Sequence, residues 1–555
     1  MTRLANATPP LLIVSIALLS FPMNTYAWEP NADDLDAAIK AGDFTAYFTD
    51  ISTWLNQKAP ADSSKTTEAG MKALLNDPVV ANTLDQRQLI SKHGVDNIGA
   101  FARADQGNKT FLAWLLRNTQ AMDLYLVGAT PTGLERRELD RYTLDTASLA
   151  LWRKLFDADP DSKEGIYLKL AVATAISPPP AMSYVGAGGI GAVPIDPVER
   201  YNHFKSAHKN NELFPIFDTL TVWEYRKVVA DWASDGELSW VREMVNTWRP
   251  DLRKDQQVHT IVSEVWRRDS PFFYTKGFVT VMEGGGKCGP RSWFGTMTCR
   301  AFGIPTVGVG QPGHAAFGIK SADPSSEPQP GSVWKVVYGR AWHVSKCEGV
   351  SGPEFLSEAE ARSREIEFSQ GEHLRWLAST WASSEQADAV MAVARKIQQS
   401  ASGAESGRSV AMPAAPSIPE PPFKAVPGVM HVEAESFANM SGVFVYDCFT
   451  GGKQVNFQKN MESSWIDYTV DVPAAGTYGL TMRVATPNRE QVLDVGVDTN
   501  QLATVDIPNT TGLWGTTEEV ELRLKEGTRT LRFSAPYQRG IAVRWFELNS
   551  KGVNR

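Results

Sequence analysis

Cys288 and His314 are the residues of this sequence whose types and spacing could support nucleophilic catalysis. Cys288 follows a run of glycines and opens a helical pattern that Gly303 and Pro305 terminate. At the N-terminus of a helix, unpaired N–H groups and the helix dipole favour a thiolate. His314 enters a predicted strand, where its imidazole could accept the thiol proton. The pair therefore predicts chemistry through a cysteine nucleophile.

Three short extended segments are predicted to position the histidine. They cover residues 306–310, 314–319 and 333–338. Turn-forming Gly and Pro residues separate the first segment from the second, and a polar loop with three Pro separates the second from the third. A cysteine at a helix end and a histidine that enters a strand have the geometry that nucleophilic catalysis needs.

Residues 283–353 resemble the core of the transglutaminase-like superfamily of papain-type cysteine enzymes, which has an α+β fold. The resemblance lies in Gly286-Lys287-Cys288, in the motif RAFGIP at 300–305, and in His314-Ala315. It implies that Cys288 is the nucleophile, that His314 is the general base and acid, and that catalysis needs no cofactor.

The third member of the family's catalytic set has no match in this sequence. The family usually places an Asp or Asn at the end of the strand after the histidine strand, but here that strand ends at Tyr338 and is followed by Gly339 and Arg340. Asp323 lies before the strand and His343 after it, and neither fits the pattern. Either another group orients the imidazole, or the core has kept its shape and lost its chemistry.

The other cysteines bear on whether Cys288 is a free thiol. Cys299 lies eleven residues further along the predicted helix, about 16 Å away, which is too far for a disulfide with Cys288. Cys299 could pair with Cys347, and Cys448 belongs to a different domain. Cys288 is therefore the thiol that we expect to be free and reactive.

From residue 429 the sequence changes to short alternating strands, which is typical of an all-β sandwich. The motifs EAE at 433–435, WIDY at 465–468, AGTY at 475–478 and WFEL at 545–548 follow in order. Together they resemble a family 6 carbohydrate-binding module, a galactose-binding-like jelly-roll sandwich.

This second resemblance implies particular ligand residues. Phe457 and Trp514 would stack against sugar rings, and Glu433 and Glu435 match positions that often help to hold a structural calcium ion. A polysaccharide or glycoconjugate would then be the partner of the module. The alternative is a sandwich that serves protein contacts.

Composition and the chain ends define the class of protein. The chain has 555 residues and a net charge of −8, so we expect about three domains and no nucleic-acid partner. Residues 1–27 have the pattern of a signal peptide, whose apolar run at 11–19 is too short to span a bilayer. No later stretch is apolar enough to cross a membrane, so we expect a secreted protein, periplasmic or extracellular.

The whole chain is predicted to be multidomain. After the signal peptide come a mainly α N-terminal region at 28–260, the transglutaminase-like core at 261–353 and bracing helices at 354–399. A linker rich in Pro, Ser and Ala at 400–428 precedes the jelly-roll sandwich at 429–549.

The favoured hypothesis is a secreted carbohydrate-binding protein whose cysteine domain hydrolyses or transfers amide bonds of glycan-associated substrates, including proteins or peptides. One alternative is a non-catalytic carbohydrate-binding or adhesion protein with a degenerate core. Another is a polysaccharide-degrading enzyme that uses acids of the helical region.

Overall fold

The computed structural model describes eleven stretches of the chain: 28–60, 66–131, 144–177, 195–265, 287–321, 333–381, 384–400, 423–458, 464–498, 500–536 and 540–551. The predicted signal peptide, Asp323 and residues 401–422 of the predicted linker lie outside these stretches.

Helices form the N-terminal region, which confirms the prediction for this part of the chain. The first of them begins after Asn31, whose side-chain oxygen accepts a hydrogen bond from the N–H of Asp34 at 3.0 Å, as a helix cap does. Within the described part of the chain, no helix is both long and apolar enough to cross a membrane. The helices are α1 (Ala32–Ala41), α2 (Thr45–Gln57), α3 (Glu68–Leu75), α4 (Pro78–His93), α5 (Val95–Ala104), α6 (Gln106–Leu115), α7 (Thr119–Gly128), α8 (Thr146–Ala158), α9 (Gly165–Ile176), α10 (Pro197–Lys209), α11 (Val222–Val229), α12 (Asp235–Trp248), α13 (Pro250–Lys254) and α14 (Ile261–Glu264).

Aromatic side chains at helical spacing fill the core of this region. The ring of Phe111 lies edge-on to Trp152, with centroids 5.5 Å apart, and Trp114 contacts Phe156 at 4.8 Å. Phe111 and Trp152 are fully buried. These aromatic side chains therefore form core, as apolar residues at helical spacing usually do.

Three helices in residues 352–400 complete the helical body. They are α16 (Gly352–Ser363), α17 (Glu365–Ala378) and α18 (Ser384–Ser400). A buried ion pair joins α17 to α4, since His373 Nε2 lies 2.7 Å from Asp85 Oδ1. These helices thus pack against the N-terminal region. They also pack against the region that contains a small sheet, described next, since Phe355 of α16 contacts Trp342.

The region between them contains one helix and a small antiparallel sheet. Helix α15 (Cys288–Ala301) comes first. The five strands are paired in the order β3-β2-β1-β4-β5. They are β1 (Thr306–Gln311), β2 (His314–Lys320), β3 (Trp334–Val337), β4 (Lys346–Cys347) and β5 (Val350–Ser351).

Two sheets pack face to face to form the C-terminal sandwich, as predicted. One sheet has the order β13-β12-β16-β10-β7 and the other β14-β11-β17-β9-β8, with β15 paired to β11 and β6 to β17. Tyr468, Phe533 and Phe546 meet edge to face in the core between them. The strands are β6 (Val429–Glu433), β7 (Asn439–Ser441), β8 (Phe444–Asp447), β9 (Lys453–Phe457), β10 (Trp465–Val472), β11 (Gly476–Ala485), β12 (Gln491–Val497), β13 (Asn500–Ile507), β14 (Gly515–Thr516), β15 (Val520–Leu524), β16 (Gly527–Ser534) and β17 (Ile541–Ser550).

The sandwich is in direct contact with the helical body. Ala485 and Ala542, at the ends of two of its strands, are buried in the same hydrophobic core as the helices, and Leu513 and Trp514 pack against that core. The C-terminal unit therefore shares an apolar interface with the rest of the protein.

Candidate functional site

Cys288 occupies the first position of α15. Lys287 precedes it as the N-cap residue and contributes no side-chain cap to the N–H groups of the first turn. A negative charge on the sulfur would be favoured at this position by those N–H groups and by the helix dipole. The first turn of α15 is thus suited to a thiolate.

Cys288 is also the least buried of the four cysteines. All four are free thiols in the structure, and Cys299, Cys347 and Cys448 are buried whereas Cys288 is partly exposed. Burial raises the pKa of Cys299 to about 12 and also raises the pKa of Cys347. These two buried thiols are therefore poor nucleophiles, and the pairing of Cys299 with Cys347 that the sequence allowed is not formed.

His314 is the first residue of β2, and its ring has a defined partner. Its Nε2 lies 2.7 Å from the backbone carbonyl oxygen of Tyr338, just after the end of β3. A carbonyl oxygen can only accept, so Nε2 carries the hydrogen and the neutral imidazole keeps a lone pair on Nδ1. Tyr338 has a left-handed backbone, with φ of 54°, which is uncommon for a residue other than glycine. The imidazole is therefore held in the tautomer that can accept a proton at Nδ1.

Helix α15 lies directly against β2. A Cβ atom at Gly295 would be 2.5 Å from the ring of Phe317, so only glycine permits this approach. Cys288 lies seven residues before Gly295, about 10 Å along a helix, and His314 lies three residues before Phe317, about 10 Å along a strand. Measured along the helix and along the strand, Cys288 and His314 thus lie at about the same distance from the contact between Gly295 and Phe317.

Tyr338 links the first turn of α15 to the start of β2. The guanidinium of Arg291, one turn after Cys288, lies 5.7 Å from the centre of the Tyr338 ring, which in turn lies 5.3 Å from the His314 ring. The structure thus brings the first turn of α15 and the start of β2 together around Tyr338. Among the described residues, no hydrogen bond joins Cys288 to His314.

Two arginines of α15 fix the helix at its ends. Arg291 donates hydrogen bonds to the backbone carbonyls of Val262 and Val265, and so ties the first turn to α14. Arg300, from the RAFGIP motif, donates to the carbonyls of Thr306 at 2.7 Å and Ala230 at 2.7 Å. This motif therefore contributes to positioning rather than to chemistry.

Of the two side chains that flank the expected third position in the sequence, the structure describes one. His343 is exposed, in the short 3₁₀ turn Trp342–Val344, and Asp323 lies outside the described residues. The observed partner of the imidazole is the backbone carbonyl of Tyr338, and no residue type in a sequence indicates that a backbone atom will take this role. Only the position, just after the strand that follows the histidine strand, could have indicated it.

The two predicted sugar-stacking residues do not lie together on an open surface. Phe457, at the end of β9, is 1% exposed and belongs to the core of the sandwich. Trp514 is half-buried against the helical core, and its indole N–H is buried without a hydrogen-bond partner among the described residues. Phe457 therefore presents no free face to a sugar, and Trp514 is partly covered by the helical core.

Glu433 and Glu435, the predicted calcium positions, are engaged differently. Glu433 forms an ion pair with Arg544 and lies 3.3 Å from His431 Nε2, and Glu435 is exposed on the turn that follows β6. Calcium requires six to eight oxygen ligands. The described residues contain no cluster of three or more metal-binding side chains, and a guanidinium supplies the positive charge beside Glu433. Glu433 is thus paired with Arg544, and the described side chains do not by themselves make up a calcium site.

Comparison with known proteins identifies the C-terminal unit. Residues 433–550 match the model of the family described as carbohydrate binding module (family 6). A comparison with curated protein sequences finds no match.

Several solved structures resemble the C-terminal part of this chain. The C-terminal family 6 module of a marine laminarinase from Zobellia galactanivorans is 23% identical, covering 22% of this chain and 99% of that one, with a TM-score of 0.21. A module of a Cellvibrio mixtus lichenase, solved with cellotriose, is 24% identical over 22% of this chain and 98% of its own, with a TM-score of 0.20. A Clostridium cellulolyticum family 6 module, solved with xylose, is 24% identical over 22% and 97%, with a TM-score of 0.19. The prediction of a family 6 carbohydrate-binding module is thus confirmed for residues 433–550.

Proposed function

We propose that the protein is a cysteine-dependent enzyme of the transglutaminase-like kind that acts on amide bonds of glycan-associated substrates. The observation that carries this proposal is the hydrogen bond from His314 Nε2 to the Tyr338 carbonyl, because it fixes the imidazole in the tautomer that a general base needs. It also supplies an orienting group where the sequence offers no acid or amide.

The reaction would proceed through a thioester on Cys288. The thiol proton passes to Nδ1 of His314, and the sulfur forms a bond to the carbonyl carbon of the amide. The C–N bond then breaks as the imidazolium returns the proton to the leaving amine. Water resolves the thioester in hydrolysis and a second amine resolves it in transfer, and in both cases the proton of the attacking group restores the thiol through His314.

The orienting carbonyl has a chemical consequence. In a serine triad the aspartate holds the imidazole and also stabilises the positive charge that forms on it. The Tyr338 carbonyl is a neutral dipole, so it orients the ring with less stabilisation of the imidazolium. We therefore expect a slower enzyme than one with a carboxylate at this place.

A comparison of Cys288→Ala with the parent protein tests the proposal. The assays are incorporation of a biotinylated primary amine into a casein substrate and release of ammonia from glutamine-containing peptides. We expect Cys288→Ala to abolish both activities and Cys448→Ala, the same change at a buried thiol of the sandwich, to retain them. Equal activity of parent and Cys288→Ala would overturn the assignment and favour a non-catalytic core.

We also propose that the C-terminal module binds polysaccharide and that the protein is exported. The first is supported by the family match of residues 433–550, and the second by the signal-like sequence at 1–27. Affinity electrophoresis against a panel that includes xylan, laminarin and soluble cellulose derivatives tests binding. A parent protein that no polysaccharide retards would refute it.

A further inference from the structure

One face of α12 is turned toward the sandwich. Trp240, Met244 and Trp248 are spaced by four residues, so they lie on the same side of the helix. All three contact one end of the sandwich, which we call the loop end and which consists of residues 486–491, 509–514 and Gly540. The sandwich therefore covers an apolar stripe on the surface of α12.

The two tryptophans donate hydrogen bonds into the loop end. Trp240 Nε1 donates to the carbonyl of Thr511 at 3.2 Å, and Trp248 Nε1 donates to the carbonyl of Gly540 at 3.1 Å. Trp248 is fully buried. The bond from Trp248 is buried and the bond from Trp240 is part-buried, so indole N–H groups and loop carbonyls satisfy each other across the interface.

The sandwich in turn caps the C-terminus of α12. Gln454 Nε2 donates to the carbonyl of Thr247 at 3.0 Å, and Asn456 Nδ2 donates to the carbonyl of Trp248 at 2.7 Å. Both amide side chains are buried. The last carbonyls of a helix have no partner within the helix, so these two amides satisfy groups that would otherwise be buried unpaired.

Two glycines make the close approach possible. A Cβ atom at Gly512 would lie 2.3 Å from Met244, and one at Gly540 would lie 2.7 Å from the Trp248 indole. Both glycines also have a left-handed backbone, with φ of 80° and 83°. Backbone conformation and space therefore both require glycine where α12 meets the loop end.

We infer that the loop end is an internal docking surface for α12 and does not receive carbohydrate in the intact protein. Trp514, the predicted sugar platform, lies in this covered end and packs on the helical core. The inference rests on the proposed carbohydrate-binding function, which it deepens, since a polysaccharide must then contact the module at another surface. Non-covalent contacts with α12, as well as the covalent connection of the chain, hold the module on the helical body.

Cleavage of the intact protein tests the docking. A specific protease site is introduced within residues 401–422, the protein is cut, and the two pieces are analysed by size-exclusion chromatography without denaturant. We expect the pieces to elute together, because buried hydrogen bonds and apolar contacts hold them. Separate elution of two folded pieces would overturn the inference.

A matched pair of glycine variants shows whether the observed interface is responsible. Gly540→Ala places a methyl group against Trp248, whereas Gly428→Ala imposes the same backbone strain, at φ of 82°, where a Cβ meets nothing within 4 Å. In the cut protein we expect Gly428→Ala to stay associated and Gly540→Ala to lose co-elution. Co-elution of both variants would contradict the assigned contact, and far-ultraviolet circular dichroism of each piece verifies that it is folded.

Affinity electrophoresis of Trp514→Ala tests the second half of the inference. We expect the same retardation as for the parent on any polysaccharide that the parent binds. Loss of retardation in a variant whose cut pieces still co-elute would show that the loop end binds sugar. If the parent itself binds no polysaccharide, the carbohydrate-binding proposal fails, while co-elution still decides the docking.

Discussion

The imidazole Nε2 of His314 lies 2.7 Å from the backbone carbonyl oxygen of Tyr338. A main-chain atom thus occupies the place that a carboxylate or amide side chain usually fills beside a catalytic histidine. The arrangement depends on the left-handed backbone of Tyr338 and on its ring, which lies between His314 and Arg291.

Substitution of Tyr338 should affect activity through the ring rather than through the hydroxyl. Tyr338→Phe keeps the carbonyl and the ring, so we expect its kcat to match the parent's. Tyr338→Ala keeps the carbonyl but loses the packing that positions it, and misplacement by about 1 Å can cost about 100-fold in rate. Steady-state kinetics should show a lower kcat at nearly constant KM, and a parent-like kcat for Tyr338→Ala would argue against positioning by the ring.

The four thiols should differ in reactivity. Brief treatment of the native protein with iodoacetamide should label Cys288 and leave the buried Cys299, Cys347 and Cys448 unmodified, as measured by peptide mapping. In denaturant all four should react. Native Cys288→Ala serves as the control and should take up no rapid label, and equal labelling of all four cysteines in the native parent would contradict the structure.

Calcium should not stabilise the sandwich. Because Arg544 supplies the cation that pairs with Glu433, we expect the Tm of the parent to be the same in calcium chloride and in a chelator. Arg544→Ala should lower stability by about 1 kcal/mol, since the carboxylate is partly exposed and its pairing is screened by solvent. Arg523→Ala, at an exposed position of β15 in the same sheet, should have little effect. A calcium-dependent rise in the Tm of the parent would contradict this prediction.

The buried pair of His373 and Asp85 should make stability depend on pH. Burial alone would lower the pKa of His373, but the charge and hydrogen bond of Asp85 outweigh it and raise the pKa to about 9. Burial raises the pKa of Asp85 to about 6, so both groups are charged between these values. A raised histidine pKa contributes stability below its unfolded value of 6.5, and this contribution is lost as pH rises toward 9.

Denaturant unfolding at several pH values measures this effect. We expect the free energy of unfolding to fall from pH 6.5 to 9 more steeply in the parent than in His373→Ala. The variant should also be less stable by about 3–5 kcal/mol below pH 7, because Asp85 loses its buried partner. His343→Ala removes an exposed histidine and should leave the parent's slope intact. Identical slopes in parent and His373→Ala would refute the assignment.

The sequence predicted the elements of the site better than their connections. Cys288 does begin a helix, and the predicted strands at 306–310, 314–319 and 333–338 agree with β1, β2 and β3 to within one residue at each end. Helix signals and turn signals are local, so one sequence carries them. The Tyr338 carbonyl could not be predicted as the orienting group, because every residue has a backbone carbonyl and only the folded structure shows which one contacts the imidazole.

The interface between α12 and the sandwich could not be predicted for a different reason. A stripe such as Trp240, Met244 and Trp248 has the same spacing whether it faces the core of its own domain or a neighbouring one. A linker composition at 400–428 suggested separation of the sandwich, but composition describes the connecting chain and not the surfaces that it brings together.

The caps that Gln454 and Asn456 place on the last turn of α12 limit how this protein can be divided. A chain shortened at residue 400 would leave two tryptophans and a methionine facing water and two helix carbonyls without their amide partners, so we expect it to aggregate when expressed alone. The same contacts restrict which domains could replace the sandwich. Another sugar-binding sandwich could pack on α12 only if it also placed two amide side chains and two glycines against the helix.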